Sequence, residues 1–145
     1  MAQAERFSTE VWVPRSLSEL PALADFVRQT ARAQRLEEEV EYGLQLAAEE
    51  LFTNMVKYGA EGAPEILVQL SGGALEVQMV FKDQGAHPFD PTCIQPRDFD
   101  KPAGERRPGG LGIHLVRSYM DEFRYEYCEG TGITTVIKRV GKSRV

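Results

Sequence analysis

Phe7, Thr9, Val11 and Val13 alternate with Ser8, Glu10 and Trp12, a period of two that predicts a strand, and Pro14 ends it. The period then lengthens. Ser16 and Glu19 stand at capping-box spacing, and Leu20, Leu23, Ala24, Val27 and Ala31 follow at the spacing of one helix face. Val40, Leu44, Ala47, Leu51 and Met55 predict a second helix, with Gly59 as its stop. Its opening acids, Glu37, Glu38, Glu39 and Glu41, suit a solvated first turn, where negative charge complements the helix dipole. Two strand-like runs, 65–70 and 74–81, flank Ser71-Gly72-Gly73, which reads as a hairpin turn. Pro88, Pro91, Pro96, Pro102 and Pro108 then interrupt any period between 83 and 112. A loop of that length inside a compact domain points to function or mobility. A short helix over 113–120 follows. A last hairpin pairs 123–127 with 134–140 around Glu129-Gly130-Thr131-Gly132.

Strands joined by tight turns are antiparallel neighbours, so this order predicts an α+β fold. It is a two-layer sandwich, with helices packed on one face of a mixed, mostly antiparallel sheet. No series of βαβ units is present, which argues against a dinucleotide fold. The 145 residues suit one domain over 1–145, long enough to bury about two-thirds of the unfolded chain's surface. Hydrophobic residues at 42% and charged residues at 27% fit a globular domain rather than a disordered one. Seventeen basic against 22 acidic residues leave a formal charge of −5, with no basic stripe for nucleic acid. No apolar run approaches the ~20 residues that cross a bilayer. Acids in the first ten residues do not suit a signal peptide, and Cys93 and Cys128 lack CxxC spacing. These features favour a cytoplasmic protein with no membrane contact and two inert thiols.

Three places break the rules of core building. At about 100° per residue, Asn54 falls inside the apolar arc of the second helix, and Glu50, one turn earlier, sits at its edge. A carboxylate and an amide oxygen at that spacing suit a hard cation or a water held beside it, although Asn54 could equally bond neighbouring backbone. Lys82-Asp83-Gln84-Gly85 closes an apolar strand with an acid and, two residues on, a glycine. That pairing offers a hydrogen-bond acceptor beside a close backbone approach, or else an ordinary turn. Gly109-Gly110-Leu111-Gly112 precedes the short helix, where free N–H groups and the helix dipole favour an anion. A flexible loop end has the same composition. His87 and His114 have no metal-ligand spacing with each other or with the cysteines.

Taken in order, Glu50-Leu51-Phe52-Thr53-Asn54, then Asp83 to Pro91, then Gly109-Gly110-Leu111-Gly112-Ile113-His114-Leu115-Val116 resemble the N, G1 and G2 boxes of the GHKL ATPases. More closely, the chain resembles the anti-sigma-factor serine/threonine protein kinases, from its first strand to its last hairpin. The resemblance implies the Bergerat, GHKL ATPase-like fold, with ATP and Mg²⁺ as cofactors and an ATP lid at about 92–108. It implies that Asn54 ligates Mg²⁺ bridging the ATP phosphates and that Glu50 takes the proton from a protein serine hydroxyl. Asp83 would accept from the adenine amino group, and Gly85 would let the base fit. Gly110, Leu111 and Gly112 would present N–H groups to the phosphates. Such positioning and charge neutralisation dominate phosphoryl transfer. Arg106 and Arg107, in the lid, are candidates for cationic contacts with the phosphates.

The implied substrate is a STAS-type anti-anti-sigma protein, the implied second partner an RNA polymerase sigma factor, and the implied assembly a homodimer. Nucleotide is expected to protect 98–109 from proteolysis, since such loops order on closing. Two positions depart from the family pattern: Tyr58 stands where the N box commonly has His, and Ile133 where the closing hairpin often has a polar residue. The alternative is a weakly catalytic or non-catalytic ATP-binding module that switches a different target. The catalytic half of a histidine kinase fits less well, because no helix bearing a phosphoacceptor His precedes the domain in this sequence.

Overall fold

In the computed structural model, which describes residues 6–59, 61–85, 88, 90–93 and 110–140, the first alternating run forms strand β1 (Phe7–Pro14). Its odd-numbered side chains turn inward, with Val13 buried, while Glu10 and Trp12 face outward and are exposed. A single 3-10 turn, Leu17–Glu19, leads into helix α1 (Leu20–Ala33). Ser16 caps this turn by accepting from the Ser18 N–H at 3.3 Å, so the expected reciprocal box with Glu19 does not form. Leu23, Val27 and Ala31 are the buried stripe of α1, as their spacing predicts.

Helix α2 (Glu38–Tyr58) buries Val40, Leu44, Ala47 and Leu51 together with Gly43, Ala48, Phe52 and Asn54. Gly59 does stop it, but at a φ of −115°, outside the left-handed region. Space is the reason for a glycine there: a Cβ would stand 2.7 Å from the Met55 carbonyl oxygen. Gly43 lets the third helix lie close, since a Cβ would meet the Met120 methyl at 3.1 Å. Gln45 Nε2 ties α2 to α1 by donating to the Ala24 carbonyl at 2.8 Å.

Strands β2 (Glu65–Gly72) and β3 (Glu76–Gln84) form the first hairpin. Ser71 and Gly72 continue β2, paired with Gln78 and Val77, so the turn lies one to two residues later than the glycine pair suggests. Helix α3 (Gly110–Tyr119) begins three residues earlier than Ile113, which makes Gly110, Leu111 and Gly112 its first turn rather than a preceding loop. Strands β4 (Glu122–Cys128) and β5 (Thr131–Arg139) close the fold. Only Glu129 and Gly130 join them, at φ 51° and 78°. Two consecutive positive φ values are what a type I′ hairpin requires.

The five strands run in the order β1-β2-β3-β5-β4. All four pairings are antiparallel, so the sheet carries no parallel pair among the described strands. Ile66, Val68 and Leu70 of β2, Val77, Met79 and Phe81 of β3, and Val136 of β5 form one core with the apolar sides of the three helices. Burying each Leu, Ile or Phe there stabilises the fold by roughly 1.5–3 kcal/mol. That layer fixes α2 above the sheet and brings its C-terminal half toward the end of β3 and the first turn of α3.

Candidate functional site

Asn54 is 3% exposed among the side chains that pack α2 on the sheet. Its Nδ2 has no hydrogen-bond partner and is the one such buried side-chain atom among the described residues. Leaving a buried donor unpaired costs about 1–3 kcal/mol, and this nitrogen adds no hydrogen bond to the fold in return. The reading in which Asn54 bonds neighbouring backbone therefore finds no support at this nitrogen. A ligand that brings acceptor oxygens, or an amide turned over to present Oδ1 to a cation, would satisfy the group.

Glu50, one turn before, is half-buried. Its carboxyl lies against the first turn of α3, where a Cβ on Gly112 would overlap Oε1 and Cδ. Gly112 thus carries no side chain because the Glu50 carboxyl fills that space. Burial is the largest cause raising the Glu50 pKa above 4.5; the Glu49 carboxylate adds to it and Lys57 opposes it. A carboxylate made more basic and held at a helix N-terminus suits a proton acceptor.

Asp83 is buried near the end of β3 and makes an ion pair with Arg15. Arg15 follows β1 and lies far from every motif in the sequence, so no spacing rule points to it. Both side chains are less than one-tenth exposed. Removing one partner of such a pair costs roughly 3–5 kcal/mol, because the other charge stays buried. Gly85, at the other end of the motif, adopts a φ of 76°, and its N–H donates to the Gly130 carbonyl at 2.8 Å. The glycine is required there by backbone conformation, and it joins the end of β3 to the β4–β5 turn. Gln84 accepts from the Ala63 N–H at 2.8 Å, which brings the α2–β2 loop to the same end of the sheet.

Thr134 on β5, a buried polar residue opposite Phe81 on the helix-facing side, also escaped the sequence reading. Its alternation with Val136 reads as ordinary strand. Gly110 and Leu111 stand with Gly112 in the first turn of α3, whose N–H groups have no partner within the helix. Asp90 Oδ1 accepts from the Thr92 N–H at 2.8 Å and from its hydroxyl at 2.6 Å, capping a 3-10 turn over Pro91–Cys93. Tyr58, at the position where the resemblance expects His, is the last residue of α2 and 38% exposed. His114 faces outward on α3, and Cys128 is an exposed free thiol. His87, Arg106, Arg107 and residues 94–108 of the expected lid lie outside the described residues.

The residue types present fit a magnesium nucleotide. Mg²⁺ takes hard oxygen donors and commonly uses few protein ligands beside substrate phosphates. Asn54 with Glu50 nearby offers that kind of donor set, and no group of three or more His, Cys, Asp or Glu forms an all-protein cage among the described residues. Among the described residues, no helix is long and apolar enough to cross a membrane.

No curated protein matches the chain closely. The family model of the histidine kinase-like ATPase domain matches residues 13–138, from the end of β1 to the end of β5, and so spans Glu50, Asn54, Asp83, Gly85 and the first turn of α3. The chain belongs to the histidine kinase-like ATPase domain family, within the GHKL ATPases.

Proposed function

We propose that this protein is an ATP-dependent protein-serine kinase that acts as an anti-sigma-type switch in the cytoplasm. Its substrate is a serine on a STAS-type antagonist protein, its second partner is a sigma factor, and it works as a homodimer. The observation that carries the reading is the buried, unpartnered amide nitrogen of Asn54 one helical turn from Glu50, whose carboxyl rests on the glycine turn of α3. A binding module needs a cation ligand and a phosphate turn. It does not need a carboxylate of raised pKa beside them, and that carboxylate favours transfer.

Asn54 would hold Mg²⁺, and Gly110, Leu111 and Gly112 would offer N–H groups to the phosphates. When bound, the cation neutralises phosphate charge. Glu50 accepts the proton of the substrate serine hydroxyl as the serine oxygen bonds to the γ-phosphorus and the bond to the ADP oxygen breaks. Asp83 would accept from the base, and Gly85 shapes the backbone beside it. Arg106 and Arg107 would add positive charge from the lid.

The test uses purified protein, Mg·ATP and the candidate STAS protein, with phosphoserine measured by mass spectrometry. Transfer that is present in the wild type and lost in Glu50→Ala is the expected result. Nucleotide binding without transfer to a partner that binds would instead make the protein a switch module that regulates by holding its target.

A further inference from the structure

Arg15 makes more contacts across the fold than its place in a connecting segment requires. Its backbone N–H donates to the Pro64 carbonyl at 2.8 Å. In its side chain, Nε donates to the Ala63 carbonyl at 2.8 Å, Nη1 to the Met55 carbonyl at 3.2 Å, and Nη2 to Asp83 Oδ1. One guanidinium therefore joins the end of α2, the loop that follows it and the end of β3. A planar fork of donors can serve three acceptors at once, which an ammonium on a flexible stem cannot do with fixed geometry. Two glycines make room for it. A Cβ on Gly59 would stand 2.9 Å from Nη1 and 3.3 Å from Asp83 Oδ2, and one on Gly62 would overlap Nη2 and Cζ.

A structural tie would be complete with the carbonyls of Ala63 and Met55. The third arm goes to the carboxylate that, on the reading above, recognises the base. We propose that Arg15 is a positioning residue of the base pocket and sets its specificity: by occupying Oδ1 it leaves Oδ2 as the free acceptor of Asp83. The inference rests on the nucleotide reading. A carboxylate with one free oxygen accepts a single exocyclic amino donor, which a 6-aminopurine supplies. A 2-amino-6-oxopurine presents two adjacent N–H donors that pair best with both oxygens, and Arg15 removes one of them. The paired guanidinium also holds the carboxylate plane in place, so that recognition needs no reorganisation of the acceptor.

The experiment is calorimetric titration of the full chain with Mg·ATP, Mg·GTP and magnesium tripolyphosphate, for wild type, Arg15→Met and Gly62→Ala. Gly62 has no positive φ, so its backbone tolerates alanine, and the new Cβ pushes the guanidinium off Asp83 while Arg15 keeps its charge. The wild type is expected to prefer ATP to GTP. Both variants are expected to lose about ten-fold in ATP affinity, the equivalent of one hydrogen bond, with the ATP-to-GTP ratio falling toward one. Binding of tripolyphosphate, which has no base, stays at the wild-type value. Circular dichroism reports folding, and should Arg15→Met not fold, Gly62→Ala alone decides the matter. A folded variant that keeps the wild-type ATP affinity and base preference overturns the assignment and leaves Arg15 as a structural tie. Wild-type protein that binds neither nucleotide overturns the nucleotide reading itself, and the Arg15 assignment with it.

Discussion

Glu50 and Asn54 share one face of one helix and are treated differently by the fold. Asn54 is enclosed, and its amide nitrogen is left without a partner. Glu50 is half in water, and burial together with Glu49 raises its pKa. That shift has a sign for stability. A carboxyl whose folded pKa lies above its unfolded value near 4.5 binds its proton more tightly in the native state. Its contribution is present in full below about 4.5 and is lost as pH rises through the folded value. At neutral pH the ionised group therefore opposes folding. Glu50→Gln, which keeps the shape and cannot ionise, is predicted to be more stable than wild type at pH 7, and the gap is predicted to close on going down to pH 4. Denaturant unfolding of both proteins across that range measures it. A gap that does not change with pH would show that Glu50 meets the same environment folded and unfolded. The loss of transfer in this variant, set beside its gain in stability, would mark Glu50 as kept for chemistry.

The elements show which features a linear pattern reveals. Period alone located β1, α1 and α2, because each presents one continuous face to the core. It placed the hairpin turn early, since Ser71 and Gly72 are small enough to read as turn yet pair with Gln78 and Val77. Period places the start of α3 too late, because its glycines read as loop where they form a first turn, whose N–H groups have no partner within the helix. The motif residues Glu50, Asn54 and Asp83 were legible for a local reason: each is polar where apolar residues surround it. Arg15 and Thr134 were not. Arg15 gains its meaning only from Met55, Ala63 and Asp83, which are distant in sequence, and Thr134 looks like any strand threonine. The end of α1 was also hidden. Leu36 N–H donates to the Ala31 carbonyl at 2.9 Å and Arg35 N–H to the Arg32 carbonyl at 3.1 Å, the two bonds of a Schellman cap, with Arg35 at a φ of 56°. Glycine is the residue favoured at that position, and a side chain there pays a steric cost. Arg35→Gly is predicted to stabilise the protein by about 0.5–1 kcal/mol, read from a shifted urea midpoint at unchanged slope. A destabilised variant would mean that the Arg35 side chain contributes more than its backbone costs.

At the scale of the molecule, the core between sheet and helices and the site at its end draw on the same helix. Leu44, Ala47, Ala48, Leu51 and Phe52 hold α2 on the sheet, so the direction of Asn54 is set by packing that no ligand has to supply. Binding then adds to stability instead of creating it. A ligand that binds only the folded state at one hundred times its dissociation constant stabilises by about 2.7 kcal/mol. For a domain of this size that corresponds to a rise in Tm of about 5–11 °C. Mg·ATP is predicted to produce such a rise in the wild type, and ATP with the magnesium chelated a much smaller one. Asn54→Leu separates the two roles of the position. It removes the orphaned donor and fills the space with carbon, so without nucleotide its Tm is predicted to be at or above that of the wild type. With Mg·ATP the variant is predicted to show no further rise, because its cation ligand is gone. Thermal scans of both proteins, with and without Mg·ATP, check this directly. An equal rise in Asn54→Leu would remove Asn54 from the binding site, whereas a low Tm without nucleotide would show that its amide serves the fold after all. The expected pattern, a more stable variant that no longer responds to its ligand, would mean that the buried amide is retained at a cost in stability because the nucleotide requires it.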